Sequence, residues 1–182
     1  MSDTIIDSLY KDFESIIGYL DVQGEISYKN IIENNFKKNF IISIASYFEH
    51  MLKDIISKMT LKYSGNNEIM LSFVKSTALD RQFHTFFEWD SGNANKFFSL
   101  FGSDFKGYMK ETVKNDENLE KSIKAFMRIG SERNKLVHQN FASYPIDNIT
   151  AKEFYQIYKD AIEFVNKLPN FFDNYIEKAK SA

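Results

Sequence analysis

The longest run of helical spacing in the sequence lies between residues 36 and 59. Its apolar side chains are Phe36, Phe40, Ile41, Ile44, Phe48, Met51, Leu52, Ile55 and Met59. This period places them on one face of an α-helix, whereas a half-buried strand would alternate every two residues. The pattern stops at the helix-breaking sequence SGNN, residues 64–67, and Ser27 is the predicted N-cap. We therefore expect one long helix against which the rest of the chain packs.

Three further segments have the spacing of long helices. The first covers residues 5–20, and the second runs over residues 116–138. The last begins at Thr150, which forms the sequence pattern of a capping box with Glu153. Because a proline inside a helix removes a backbone hydrogen bond, Pro169 is expected to kink or divide this last helix.

The middle of the chain is less regular. Short helices are predicted near residues 68–79 and 81–88, followed by a loop at residues 89–93. A further helical piece is expected to end around residues 101–104. These short elements would join the long helices.

Composition supports a helical fold. The 182 residues include only seven glycines and two prolines, so few positions break a helix. A hydrophobic content of 43% is sufficient for one sizeable core, and no repeat or linker divides the chain. We predict a single all-α domain over residues 1–182. Its expected architecture is an up-down bundle of four to five main helices with short extra helices.

Charge and cysteine content exclude several classes of protein. The sequence contains no cysteine, which excludes disulfides and thiolate chemistry and fits the cytoplasm. No stretch reaches the roughly 18 apolar residues of a membrane span, and the N-terminus does not resemble a signal peptide. With a net charge of −2, any binding of nucleic acid would need a local basic patch.

The sequence SERNKLVHQNF, residues 131–141, places charged groups in an apolar helical stripe. At 100° per residue, Leu119, Phe126, Arg133 and Val137 share one narrow face. An arginine there must be paired, hydrogen-bonded or next to a wet cleft, because its charge is costly to bury and cannot be neutralised. Arg133 is therefore the most informative residue of this helix.

Two other polar residues accompany Arg133. Asn134 and His138 are one helical turn apart, and we expect all three side chains to converge on one cleft edge. The alternative from spacing alone is that Arg133 bridges helices and His138 caps the helix C-terminus. Four basic residues of this helix also share a face: Lys121, Lys124, Arg128 and Lys135. They would contact phosphates, or else form an ordinary solvated stripe.

The string RNKLVH at residues 133–138, closing a helix and followed by one more long helix, resembles the HEPN family. HEPN domains are small helical bundles marked by an arginine, usually followed by a polar residue, four to six positions before a histidine. The strings ASYFE at residues 45–49 and WDSGN at residues 89–93, the latter leading to Phe101-Gly102, are similar to the RiboL-PSP-type HEPN subgroup. The likeness spans roughly residues 30–170.

This resemblance implies an activity. Many HEPN proteins are metal-independent endoribonucleases whose two motifs form one site in a dimer, and some are toxins or antiviral effectors, while others are inactive. His138 would move the proton when the RNA 2′-hydroxyl attacks, and Arg133 would stabilise the phosphorane oxygens. Asn134 would orient the imidazole or bind a phosphate oxygen. Glu49, on the facing helix, is a further candidate for substrate contact, although a surface carboxylate is the simpler interpretation.

The expected partners are RNA, a second copy of the chain and a companion protein such as an antitoxin. The apolar flank formed by Leu136, Val137 and Phe141 is the predicted dimer surface. No cofactor or metal site is predicted, since neither His50 nor His84 has a partner at metal-ligand spacing. The remaining alternative to a ribonuclease is a catalytically silent helical interaction module.

Overall fold

The structure is a computed structural model that describes residues 3–141, 144 and 149–181. These residues form no strand and seven α-helices: α1 (Ile5–Gln23), α2 (Ile26–Tyr63), α3 (Glu68–Val74), α4 (Asn95–Ser99), α5 (Ser103–Lys114), α6 (Glu117–His138) and α7 (Ala151–Lys180). A short π-helix follows α3 at Lys75–Leu79, and 3₁₀ turns occur at Phe83–Thr85 and Trp89–Ser91. The prediction of an all-α fold is confirmed.

α1 and α2 pack as antiparallel neighbours. Gly24, in the left-handed conformation with φ of 72°, ends α1. Near this turn Lys29 pairs with Asp21 at 2.6 Å, and further away the rings of Phe13 and Phe36 stack with centroids 3.8 Å apart. α2 begins only two residues after Gly24, so the predicted N-cap at Ser27 is wrong and that residue lies inside the first turn.

α6 and α7 form the second antiparallel pair. Lys167 of α7 lies 3.6 Å from Asp116, just before α6, whereas Asp160 pairs with Lys121 at 2.9 Å. α7 also packs along α2 in the same direction, since Tyr158 stacks on Phe48 and, further along both helices, Asp173 pairs with Lys62 at 2.8 Å. The four long helices therefore alternate up and down, as predicted.

The segment between α2 and α6 differs from the prediction in two places. The helix expected at residues 81–88 is only the 3₁₀ turn at Phe83–Thr85. Phe87 next to it stacks on Phe97 at 4.8 Å, and such non-local contacts override local helix propensity. The helical piece expected to end around residues 101–104 is α4, which ends at Ser99, but no helix was expected between there and residue 116, where α5 lies. α5 buries only two residues, and this narrow stripe gives a weak sequence signal.

Pro169 does not divide the last helix, because α7 is continuous from Ala151 to Lys180. The proline lies on the exposed side of α7. Leu168 and Phe171, on either side of it, are buried in the core. Packing of this apolar face holds the helix together despite the missing N–H. The predicted capping box of Thr150 and Glu153 is present.

A hydrogen-bond network around buried Asp7 ties the start of α1 to α7. The Asp7 carboxylate accepts hydrogen bonds from the Thr4 N–H at 2.7 Å, the Tyr155 hydroxyl at 2.7 Å and the Lys159 ammonium at 3.2 Å. Burial alone would raise the pKa of Asp7, but these hydrogen bonds outweigh burial and lower that pKa from 3.8 to about 2. The folded chain therefore stabilises the charged form.

We expect Asp7→Asn to lower the free energy of unfolding at neutral pH by roughly 2 kcal/mol, since each pKa unit corresponds to about 1.4 kcal/mol. The ionised Asp7 carboxylate contributes its full stabilisation above the pKa that Asp7 has in the unfolded chain. This stabilisation is lost as the pH falls toward the pKa of about 2 in the folded chain. Urea unfolding should therefore show the difference between wild type and variant shrinking in acid. Asp12→Asn, at an exposed position of α1, is the control. Identical pH dependence for both variants would contradict a stabilising role for Asp7.

Among the residues that the structure describes, no helix has both the length and the apolar character needed to cross a membrane.

Candidate active site

α6 carries the Arg133 motif in its last turns. Asp116 caps its N-terminus by accepting a hydrogen bond from the Leu119 N–H at 2.9 Å. The buried stripe of α6 runs from Leu119 to Leu136, and Arg133 and Asn134 are half-buried at its edge. Arg133 and Asn134 therefore lie at the edge of the face by which α6 packs in the core.

A cleft of about 170 Å³ lies beside this motif. α6 contributes an apolar floor and two polar groups: Phe126, Ile129, Gly130, Arg133 and Asn134. α2 forms the facing wall: Ala45, Phe48 and Glu49. The segment between α3 and α4 forms the remaining side: Asp80, Arg81, Phe83, His84 and Trp89. The cleft therefore brings together three regions that are distant in sequence.

Arg133 has no acidic partner within the part of the chain that the structure describes. Its Nη1 donates a hydrogen bond to Asn134 Oδ1 at 3.1 Å, within the same helix. An arginine that bridges helices would instead contact a neighbouring helix, so the observed geometry does not favour that alternative. The guanidinium keeps most of its donors available to an anion in the cleft.

Glu49 reaches the same cleft from α2. Its Oε1 pairs with Lys53 Nζ at 2.8 Å, one helical turn further along. Lys53 in turn lies 5.5 Å from the centre of the Phe83 ring. The structure therefore brings together Arg133, Asn134 and Glu49, although no contact in it assigns Glu49 a role.

His138 does not line this cleft. It lies in the exposed last turn of α6, about 7.5 Å along the axis from Arg133 and turned by about 140°. The expectation that three polar side chains converge is met for Arg133 and Asn134 only. Two residues five positions apart on a helix point in directions too different for their side chains to share one cleft edge.

The predicted basic contacts also lie outside the cleft lining. Lys135 Nζ pairs with the buried Glu132 at 2.7 Å, and Lys124 pairs with Glu120 at 2.6 Å. Lys124 borders a second, wider cleft between α5, α6 and the 89–93 loop. Arg128 is exposed. Contact of these three with a substrate stays a prediction.

Several lining residues were not identified from the sequence. The sequence predicts no site role for Asp80, Arg81, His84 or Trp89, yet all four line the cleft. One available signal was Gly130 in the interior of α6, where a glycine is costly without a packing reason. A Cβ at Gly130 would overlap the indole of Trp89. This glycine therefore lets Trp89 lie against the helix.

Possible metal ligands do not cluster in the described ranges, which contain no group of three or more histidine or acidic side chains placed to hold an ion.

The fold and the cleft define an all-α bundle with an Arg-Asn…His motif at the end of α6. A comparison with family models matches residues 7–174 to the family described as RiboL-PSP-HEPN. Because this match covers most of the chain, the protein belongs to the RiboL-PSP-HEPN family. The predicted resemblance is confirmed, and it begins earlier than the expected residue 30. Comparisons with curated proteins and with solved structures gave no match.

Proposed function

We propose that this protein is a metal-independent endoribonuclease that cleaves RNA by attack of its own 2′-hydroxyl. The observation that carries the proposal is the half-buried Arg133, whose guanidinium lines a cleft without an acidic partner in the described residues. Such a group stabilises the negative charge that develops on a phosphorane. Family membership supports the same activity.

In the proposed reaction each side chain has one task. His138 takes the proton as the 2′-oxygen forms its bond to phosphorus and the bond to the 5′-oxygen breaks. The products are a 2′,3′-cyclic phosphate and a 5′-hydroxyl end, and the leaving oxygen receives a proton from water or from His138 of a second copy of the chain. Arg133 neutralises the non-bridging oxygens. Asn134 holds the guanidinium in place through the hydrogen bond of 3.1 Å.

We propose further that the site combines two chains. Within one chain, Arg133 and His138 point in directions about 140° apart, so one motif does not surround a phosphate. A two-fold dimer would place the imidazole of one chain next to the guanidinium of the other. Val137 and Phe141, exposed by 52% and 42%, are the apolar side chains beside His138 that such a contact would cover. Leu136, predicted as part of this surface, is buried in the core and is not available for it.

The biological setting that we propose is that of a cytoplasmic toxin or antiviral defence effector with a companion protein. This part of the proposal comes from family resemblance. A neighbouring gene for an antitoxin-sized protein would support it.

The test is cleavage of single-stranded RNA in the presence of EDTA. We expect cleavage to persist, because a histidine and an arginine carry the reaction, and we expect mass spectrometry to detect 2′,3′-cyclic phosphate ends. His138→Ala protein purified in parallel controls for contaminating nucleases. A strict requirement for magnesium or manganese, or products that end in a 3′-hydroxyl, would contradict the proposed mechanism.

A further inference from the structure

The cleft beside Arg133 has an aromatic lining that the proposed cleavage chemistry does not use. Phe48 and Phe126 are buried beneath it, with ring centroids 5.4 Å apart. Trp89 and Phe83 are half-buried and form its accessible aromatic surface. Trp89 is fixed in place, since it packs 5.7 Å from Phe126 and lies against Gly130. The cleft therefore presents closely packed aromatic rings to a flat ligand.

The size of the cleft limits that ligand to one ring system. Its volume is about 170 Å³, and cavities of roughly 150 Å³ are known to hold a benzene molecule. A single heterocyclic base fits such a space, whereas a peptide helix or a base pair does not. The neighbouring Arg133 would hold a phosphate attached to the same nucleotide.

The rim of the cleft carries groups that hydrogen-bond to the edge of a base. Asp80, Arg81 and His84 follow the short π-helix at Lys75–Leu79 and line the cleft. None of these three side chains forms a hydrogen bond or an ion pair with another described residue. Together they offer a carboxylate that accepts hydrogen bonds, a guanidinium that donates them and an imidazole that can donate or accept. Paired donors and acceptors are what base edges present.

We infer that this cleft binds one unpaired nucleobase of the RNA, next to the phosphate that is cleaved. The inference rests on the proposed ribonuclease function and adds how the substrate is recognised. A base stacks on Trp89 or Phe83, while Asp80 and Arg81 contact its edge. Because a paired base cannot leave its stack without cost, such a cleft directs cleavage to single-stranded segments.

Trp89 is the only tryptophan of the chain, so intrinsic fluorescence reports directly on the cleft. The experiment titrates His138→Ala protein, which lacks the proposed proton acceptor, with the four nucleoside 5′-monophosphates, a short single-stranded RNA and ribose 5-phosphate. We expect saturable quenching by at least one nucleotide and by the RNA, with tighter binding of the RNA, and none by ribose 5-phosphate. Equal responses to ribose 5-phosphate and to nucleotides would show that only phosphate is bound and would overturn the inference. So would the absence of any response, and so would tighter binding of the free nucleotide than of the RNA.

Variants of the cleft test its role in binding. Ala45→Met adds bulk from the α2 wall without removing a polar group, and Arg81→Ala removes an exposed side chain from the rim. We expect each variant to bind the RNA at least about 5-fold more weakly than the parent protein. This factor is the lower end of the range for the loss of one base contact. Gln82→Ala, exposed next to Arg81 but outside the lining, is the matched control and should bind as the parent does. Thermal unfolding of every variant verifies that it is folded; unchanged binding in both folded cleft variants would refute the inference.

Base binding and RNA cleavage are tested independently, so either can be absent while the other is observed. Quenching without cleavage by the wild-type protein would contradict the ribonuclease proposal and leave a base-binding cleft. Cleavage by the wild-type protein without quenching in any titration would support the ribonuclease and refute the base-binding cleft.

Discussion

Arg133→Ala and His138→Ala are each expected to reduce RNA cleavage by about 100-fold or more, to the background of a gel assay. Loss of a charge-stabilising donor or of a general base typically costs a factor of this size. Stability should change little, because His138 is exposed and Arg133 forms no ion pair in the described part of the chain. Circular dichroism and thermal unfolding, measured on the proteins used for kinetics, separate the two effects.

Two further variants sharpen this result. His50→Ala removes an exposed histidine of α2 that does not line the cleft and should retain full activity. Arg133→Lys keeps the positive charge but loses the planar fork, so we expect it to retain only part of the activity. If Arg133→Ala unfolds the domain instead, the arginine has a structural role and the proposed site loses its main support.

The second large effect concerns assembly. We expect the purified chain to behave as a dimer with a mass near twice 21.3 kDa in light scattering. Val137→Glu should abolish dimerisation and cleavage together, since it places a charge in the proposed apolar contact beside His138. Val137 is about half exposed, so the substitution is not expected to unfold the monomer. Ile69→Glu, at a strongly exposed apolar position of α3, is the matched control and should remain dimeric.

A mixing experiment tests whether the two chains share one site. Arg133→Ala protein still supplies His138, and His138→Ala protein still supplies Arg133. Under conditions that allow subunit exchange, the mixture should recover part of the activity that each variant lacks alone. A wild-type enzyme that is fully active as a strict monomer at assay concentration would exclude the composite site. The Arg133→Ala and His138→Ala variants would still test the roles of the two residues.

Local sequence patterns were sufficient for the long helices and failed in the middle of the chain. α2 was recognised because its apolar residues repeat over many turns, and Thr150 was recognised as the start of α7 because capping is a local interaction. α5 was missed because it buries only Phe105 and Met109. Phe87 is held by Phe97 and Phe126, contacts that no local pattern displays.

The sequence by itself determined the helical class, the four long helices and the position of Arg133 and His138 on one of them, because helix period and capping depend on residues within a few turns. Only the tertiary structure decided what surrounds Arg133. Glu49 comes from α2, and His84 and Trp89 come from the segment after α3, so the cleft exists only when three distant segments pack together. Tertiary structure also decided that His138 lies outside this cleft and Leu136 inside the core. Which side chains face each other depends on how helices pack, and the spacing within one helix carries no information about its neighbours.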